Sequence, residues 1–285
     1  MTRHLLILAI LLATSGTSRS QSNVLGMASA LENDSLLYAT GFRLIGTNVE
    51  KLLSPGSADS VLVANKEIVR RLKCKIIMCN VLFPGRIKIA GPDVKEAEVL
   101  AYLEDVLKRA QLLGVPNLIL GSGGARRLPD DYDKVKAKAD FIVLAQKMAR
   151  LAKKYDVTIM LENLNSTETN FLTRLRDAAD VVRKVAHPGF RLNADIYHML
   201  KEDESPDEIR NAKGLISYCE IAEENGRTLP GVEKENFVPY LAALQDIGYK
   251  GPIIIEGRSK SLEEDVPRAY TYLRSQLDEA ARDRR

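Results

Sequence analysis

The sequence predicts an α/β fold, a single (β/α)8 barrel of the TIM type, on three observations. Short apolar runs alternate with amphipathic stretches about eight times along the chain, the signature of a parallel sheet with crossover helices. Eight such units is the number that closes a barrel. The turn after the first apolar run lacks the glycine-rich pattern of a doubly wound open sheet. The length of 285 residues is one that α/β barrels reach as a single unit.

The elements follow in order. Arg3 and His4 precede an apolar run from Leu5 to Ala13, and small and polar residues then lead to Ser18-Arg19-Ser20. This pattern reads as a signal peptide over residues 1–20, with the barrel over 21–285, and predicts an exported, periplasmic or secreted protein. An uncleaved tether, or a start codon assigned too early, gives the same pattern. No other stretch approaches the roughly 20 apolar residues that a spanning helix needs, so no membrane span is expected in the mature chain. The strand-like runs are Val24–Met27, Phe42–Gly46, Lys75–Cys79, Asn117–Gly121, Thr158–Leu161, Phe190–Ala194, Leu215–Cys219 and Pro252–Ile255. Between them, Val94–Leu113, Tyr132–Tyr155 and Phe171–Val185 repeat apolar residues at helical spacing, and Gly114 stops the first of these. Leu277 to Arg285 reads as a fraying helix end. No linker divides the chain.

Composition narrows the partners. With 41 basic against 38 acidic residues the net charge is +3, which gives no general attraction to nucleic acid or an anionic membrane. Cys74, Cys79 and Cys219 are an odd set without zinc-type pairing, and the first two flank an apolar run, so buried free thiols are expected.

In a barrel, catalytic groups stand at the carboxyl ends of the strands. Here the fifth run leads into Glu162, the sixth into Asp195, the seventh into Glu220 and the eighth into Glu256. One acid at a strand end is ordinary, because helix N-caps favour it. Four on consecutive strands converge over one mouth, where like charges raise each other's pKa unless a cation neutralises them. A hard divalent ion with oxygen ligands, Mn, Mg or Co, is the simplest resolution; a mouth of capping acids without an ion is the alternative.

The stretch from Met160 through Glu162, Asn163 and Glu168 to Leu172 resembles the fifth-strand segment of ketose 3-epimerases and related xylose isomerase-like barrels. So do Asp195-Ile196-Tyr197-His198-Met199, the segment Glu220 to Gly231 with Arg227, and the approach Ile247 to Glu256. The resemblance is dense from Leu112 to Glu256 and weak before Lys75. It implies a divalent metal held by Glu162, Asp195, Glu220 and Glu256, with Glu220 standing where the family has a histidine. It implies substrate contacts from Glu168, His198 and Arg227, and homo-oligomers, often dimers or tetramers. Without the resemblance, Glu168 reads as a helix-start acid, His198 as a loop histidine and Arg227 as an ion-pair partner. Ser122-Gly123-Gly124-Ala125-Arg126 follows the fourth run and lacks the Lys-Ser/Thr of a P-loop, so it reads as a tight turn with incidental glycines.

The implied enzyme is a sugar isomerase or epimerase that transfers a proton next to the carbonyl of a keto-sugar, with Glu162 and Glu256 as base and acid. A lyase, dehydratase or hydrolase on an oxidised sugar uses the same site, and a sugar-binding barrel without turnover is the non-enzymatic alternative. A DNA-repair endonuclease of this fold needs a histidine-rich zinc site, whereas the chain has only His4, His187 and His198.

Overall fold

Alternation along an extended strand sends successive side chains to opposite faces, so a strand buried on both sides must be apolar throughout. The apolar runs form such strands in the computed structural model, which describes residues 23–282. In chain order the elements are β1 (Leu25–Ala28), α1 (Asp34–Thr40), β2 (Leu44–Asn48), α2 (Val49–Leu52), α3 (Asp59–Arg71), β3 (Lys75–Asn80), α4 (Glu96–Leu113), β4 (Asn117–Leu120), α5 (Gly123–Arg126), α6 (Lys134–Lys154), β5 (Thr158–Glu162), α7 (Leu175–Val185), β6 (Phe190–Asp195), α8 (Ile196–Lys201), α9 (Asp207–Asn211), β7 (Ile216–Ile221), α10 (Val238–Asp246), β8 (Ile253–Ile255) and α11 (Leu262–Arg282). All neighbouring strands pair in parallel, and β8 pairs with β1 to close the barrel. The predicted signal peptide lies outside the described residues.

Two cores result. The larger packs the outward faces of the strands, such as Leu118, Leu161 and Leu192, against helix residues such as Leu103, Phe141 and Val182. The smaller fills the barrel itself with Met78, Ile119, Met160, Tyr218 and Ile254. Two residues further along each of those strands or its exit stand Asn80, Gly121, Glu162, Glu220 and Glu256. The period of two therefore places an apolar floor directly beneath a polar mouth. Register does the rest: Glu162 lies opposite Asn193, and Asp195 opposite Glu220.

The helices end where local chemistry requires. Gly114, at φ 69°, closes α4 by turning its N–H back to the carbonyls of Ala110 and Gln111. Asp133 caps α6 by accepting from the N–H groups of Val135 and Lys136. Several boundaries differ from expectation. The helix expected from Phe171 begins at Leu175, because Leu172 adopts φ 58° and the chain ahead of it is an irregular loop. β2 runs two residues later than expected, since Phe42 turns aside to pack against the ring of Tyr270 while Thr47 and Asn48 carry the strand to the mouth. The remaining strand and helix ends move by one or two residues. The expected fraying from Leu277 is not observed up to Arg282: Leu277 and Ala280 are buried and the Leu277 carbonyl accepts from Gln245. All three cysteines are free and buried. Among the described residues no helix is long and apolar enough to cross a membrane.

Gly26 marks the tightest point of the first strand, where an added Cβ would stand 2.5 Å from Ile254 Cδ1 and 2.6 Å from Leu44 Cβ. Gly26→Ala is therefore expected to destabilise the barrel by about 1–3 kcal/mol through overpacking, read as a lower urea midpoint at unchanged slope.

Candidate active site at the carboxyl end of the barrel

The four strand-end acids do converge. Glu162, Asp195, Glu220 and Glu256 each offer one oxygen to a cluster whose members lie within 4.8 Å of one another. Glu162, Asp195 and Glu220 are buried, and Glu256 is partly so. The capping role of a strand-end acid holds for one oxygen of one residue: Asp195 Oδ1 accepts from Tyr197 N–H at 2.8 Å and His198 N–H at 3.4 Å, starting α8. Its Oδ2 and Glu220 Oε1 are buried without a hydrogen-bond partner among the described residues.

Two of the other oxygens are held by asparagines that nothing in the sequence marks out. Asn80 Nδ2 donates to Glu256 Oε1, and Asn193 Nδ2 donates to Glu220 Oε2. Asn163 exchanges two hydrogen bonds with the Asp195 backbone, at 3.1 and 3.0 Å, and so fixes the end of β6 against β5. Gly121 leaves the space that the Glu162 carboxylate fills, because a Cβ there would collide with it. Arg126, fully buried, donates from Nη1 to the Glu162 carbonyl at 2.8 Å. The Ser122–Arg126 segment is a single helical turn rather than the expected turn with incidental glycines. Gly123 is required there, since a Cβ would stand 2.9 Å from the Glu168 carbonyl oxygen.

Glu168, His198 and Arg227 stand at the same mouth. Arg227 Nη2 lies 2.5 Å from Glu256 Oε2 and 3.6 Å from Asp195 Oδ2, and its Nη1 lies 3.4 Å from Glu168 Oε1. Its guanidinium carbon sits 4.6 Å above the Tyr197 ring, a cation–π contact. His198 is buried, with Nε2 3.3 Å from Glu162 and 3.4 Å from Asp195. Its tautomer follows from Asn165. Asn165 Oδ1 accepts from the Thr167 N–H and hydroxyl and from the Glu168 N–H, so its Nδ2 faces His198 Nδ1 at 2.9 Å and must donate to it. The imidazole proton then resides on Nε2, directed at the carboxylates.

Burial dominates the electrostatics. It pushes the Glu162 carboxyl well above its ordinary value, reinforced by Asp195 and Glu256 and opposed by Arg227 and Arg126. Glu220 is raised in the same way, by burial and then by Glu256, Glu162 and Asp195. Burial also raises Glu256, against the lowering effect of Arg227. It lowers His198, which keeps the ring neutral despite Asp195. Arg126 is brought down to about 10 by burial, with Glu162 and Glu168 resisting. For Arg227, burial works against the charge, but Asp195, Glu256, Glu162 and Glu168 outweigh it and raise the guanidinium further.

A closed (β/α)8 barrel with buried carboxylates at the ends of its last four strands belongs to the class of barrels whose polar site sits at the C-terminal mouth. More narrowly, the family model described as "Xylose isomerase-like TIM barrel" matches residues 36–276, and the chain belongs to that family. It is 29% identical over 170 residues to a D-psicose 3-epimerase of Ruminiclostridium cellulolyticum, covering 58% of this chain and 57% of that protein. It is also 29% identical over 174 residues to an L-ribulose 3-epimerase of Methylomonas sp., covering 59% and 58%. The matched stretch thus spans little more than half the length of these two relatives. Among solved structures, an L-ribulose 3-epimerase superposes with a TM-score of 0.78 at 20% identity, covering 91% of this chain and 96% of that one. Likeness at that level shows the fold.

The raised carboxyls make a pH prediction. A group whose folded pKa lies above its unfolded value binds protons more readily in the folded state, so it stabilises most below the unfolded value and loses that contribution as pH rises through the folded one. In EDTA the melting temperature is expected to fall as pH rises above the ordinary glutamate value of 4.5, and Glu220→Gln should flatten that fall. Parallel curves for the wild type and Glu220→Gln would contradict the assignment of Glu220 as a raised, buried acid.

Proposed function

We propose that the protein is a divalent-metal-dependent sugar isomerase or epimerase that moves a proton next to the carbonyl of a keto-sugar. The observation that carries this reading is the cluster of four carboxylate oxygens within 4.8 Å of one another. Its donor set fits a hard cation: oxygen ligands, two of them without hydrogen-bond partners among the described residues. Mn, Mg or Co suits such a set. A second grouping joins His198 to Glu162 and Asp195. The tautomer argues against it, because Nε2 carries the proton and Nδ1 accepts from Asn165, which leaves neither nitrogen free to ligate.

Glu162, Asp195, Glu220 and Glu256 would hold the ion. When bound, it withdraws charge from a substrate oxygen and so acidifies the neighbouring C–H. The chain's own groups supply the rest. Glu162 and Glu256, whose carboxyls burial pushes above their ordinary value, serve as base and acid. The neutral His198 donates its Nε2 proton towards a substrate oxygen at the same mouth, and Arg227 and Glu168 clamp sugar hydroxyls at the rim. The epimerase names carried by the relatives support the same reading.

The test uses metal-stripped protein with D-psicose, D-fructose and L-ribulose. Interconversion should appear on adding Mn2+, disappear with EDTA, and fall on the order of 100-fold or more in kcat for Glu162→Gln and Glu256→Gln. Turnover that is indifferent to EDTA would sink the metal-dependent reading. Release of a leaving group from keto-glycosides, in place of interconversion, would favour a lyase at the same site.

A further inference from the structure

Glu223 stands three residues beyond Glu220 and is fully buried, yet it takes no part in the carboxylate cluster. Its oxygens are used on the chain ahead of it. Oε1 accepts from the N–H of Gly231 at 2.6 Å and of Glu235 at 3.2 Å. Oε2 accepts from the N–H of Glu233 at 2.6 Å and from the Thr228 hydroxyl at 2.8 Å. A carboxylate has about four acceptor positions, and here four donors address them. Charge-assisted bonds of this kind offset the cost of burying the group.

The segment so held is mostly irregular, and its other fixed points include the Thr228–Arg258 bridge at one end and the Glu235 carbonyl, which accepts from Tyr272 and Gln276, at the other. Between β7 and α10 its only regular piece is the 3-10 turn Asn225–Arg227. Gly226, Arg227, Gly231 and Lys234 all adopt positive φ, at 68°, 53°, 91° and 62°. For Arg227 and Lys234 such a backbone is unfavourable and persists only where its surroundings impose it. The Glu223 N–H also donates to the Thr228 carbonyl at 3.0 Å, so backbone and side chain of Glu223 both grip Thr228. Residues 224–227 form the small loop closed by that grip. On its far side the Arg227 carbonyl accepts from Arg258 N–H at 2.7 Å, and Gly257 is packed so closely that a Cβ would meet the Arg227 and Thr228 carbonyl oxygens at 3.0 Å.

We infer that Glu223 is the positioning residue that presets Arg227: by binding four donors of residues 228–235, it closes the loop from which the guanidinium reaches Glu256, Asp195 and Glu168. The inference rests on the reading of Arg227 as a substrate clamp. A carboxylate is required because all four partners are donors. Gln in its place turns an NH2 group against at least one of them and leaves a buried N–H without an acceptor.

The experiment compares wild type, Glu223→Gln, Arg227→Met and the double variant as full-length, Mn2+-supplied protein, by hydrogen–deuterium exchange and by turnover of D-psicose. Glu223→Gln should speed exchange across residues 224–235 about tenfold or more while leaving the other strand-end loops unchanged. It should lower kcat/KM on the order of 100-fold. In the double variant the losses should not multiply, because each single change removes the same placed guanidinium. Unchanged exchange in 224–235, or losses that multiply, would overturn the inference. Faster exchange together with a fully active Arg227→Met leaves the anchor standing and removes the clamp reading instead. Where Glu223→Gln does not fold, Thr228→Val deletes one of the four donors and should give a smaller change of the same pattern; no change would count against the anchor.

Discussion

Four carboxylates share one mouth of a barrel whose interior is otherwise apolar, and most features of that end of the molecule answer to their repulsion and desolvation. Two unit charges roughly 5 Å apart repel by about 3 kcal/mol at an effective dielectric near 20, and six such pairs exist among four acids. The chain meets this cost in several ways. Arg227 lies across Glu256 and Asp195, Arg126 donates to the Glu162 carbonyl at the end of β5, and Asn80 and Asn193 each donate to one oxygen. Protonation is a further outlet, which is why burial raises Glu162, Glu220 and Glu256 together. Under the proposed reading, a divalent ion would be the outlet that leaves every carboxylate charged and supplies the site's chemistry.

The fold supplies the geometry for this concentration of charge without special devices. Parallel strands place equivalent residues side by side, and the period of two lifts the polar layer one step above the apolar layer of Met78, Ile119, Met160, Tyr218 and Ile254. The floor excludes water from below, so the carboxylates interact in a poorly screened space. The loops then add what strands cannot. Arg227, Glu168 and His198 come from the segments beyond β7, β5 and β6, each held by its own local anchor: Glu223, Asn165, and the Asp195 cap of α8.

How much of this was legible follows from the same physics. Glu162, Asp195, Glu220 and Glu256 could be read because each breaks an apolar run at a strand end, where a charge is conspicuous. The boundaries of α7 and β2 could not, since the apolar pattern of Phe171-Leu172 and Phe42 reports burial rather than backbone conformation. The asparagines were missed because Asn in sequence reads as a turn residue; its service to a carboxylate depends on a partner up to 176 positions away. Arg126 hid inside a glycine-rich turn, where nothing local signals a guanidinium with no exposed surface. Glu220 and Glu223 are the most instructive pair. They are the same residue type three positions apart, and only the strand's end between them sends one into the cluster and the other into the loop.

The central claim is that these four carboxylates together hold a divalent ion. The most direct measurement is anomalous diffraction from crystals soaked in Mn2+. The account predicts one manganese peak among Glu162, Asp195, Glu220 and Glu256, at about 2.0–2.3 Å from an oxygen of each. A mouth without such a peak, its carboxylates engaged only by Arg227, His198 and the asparagines, would contradict it.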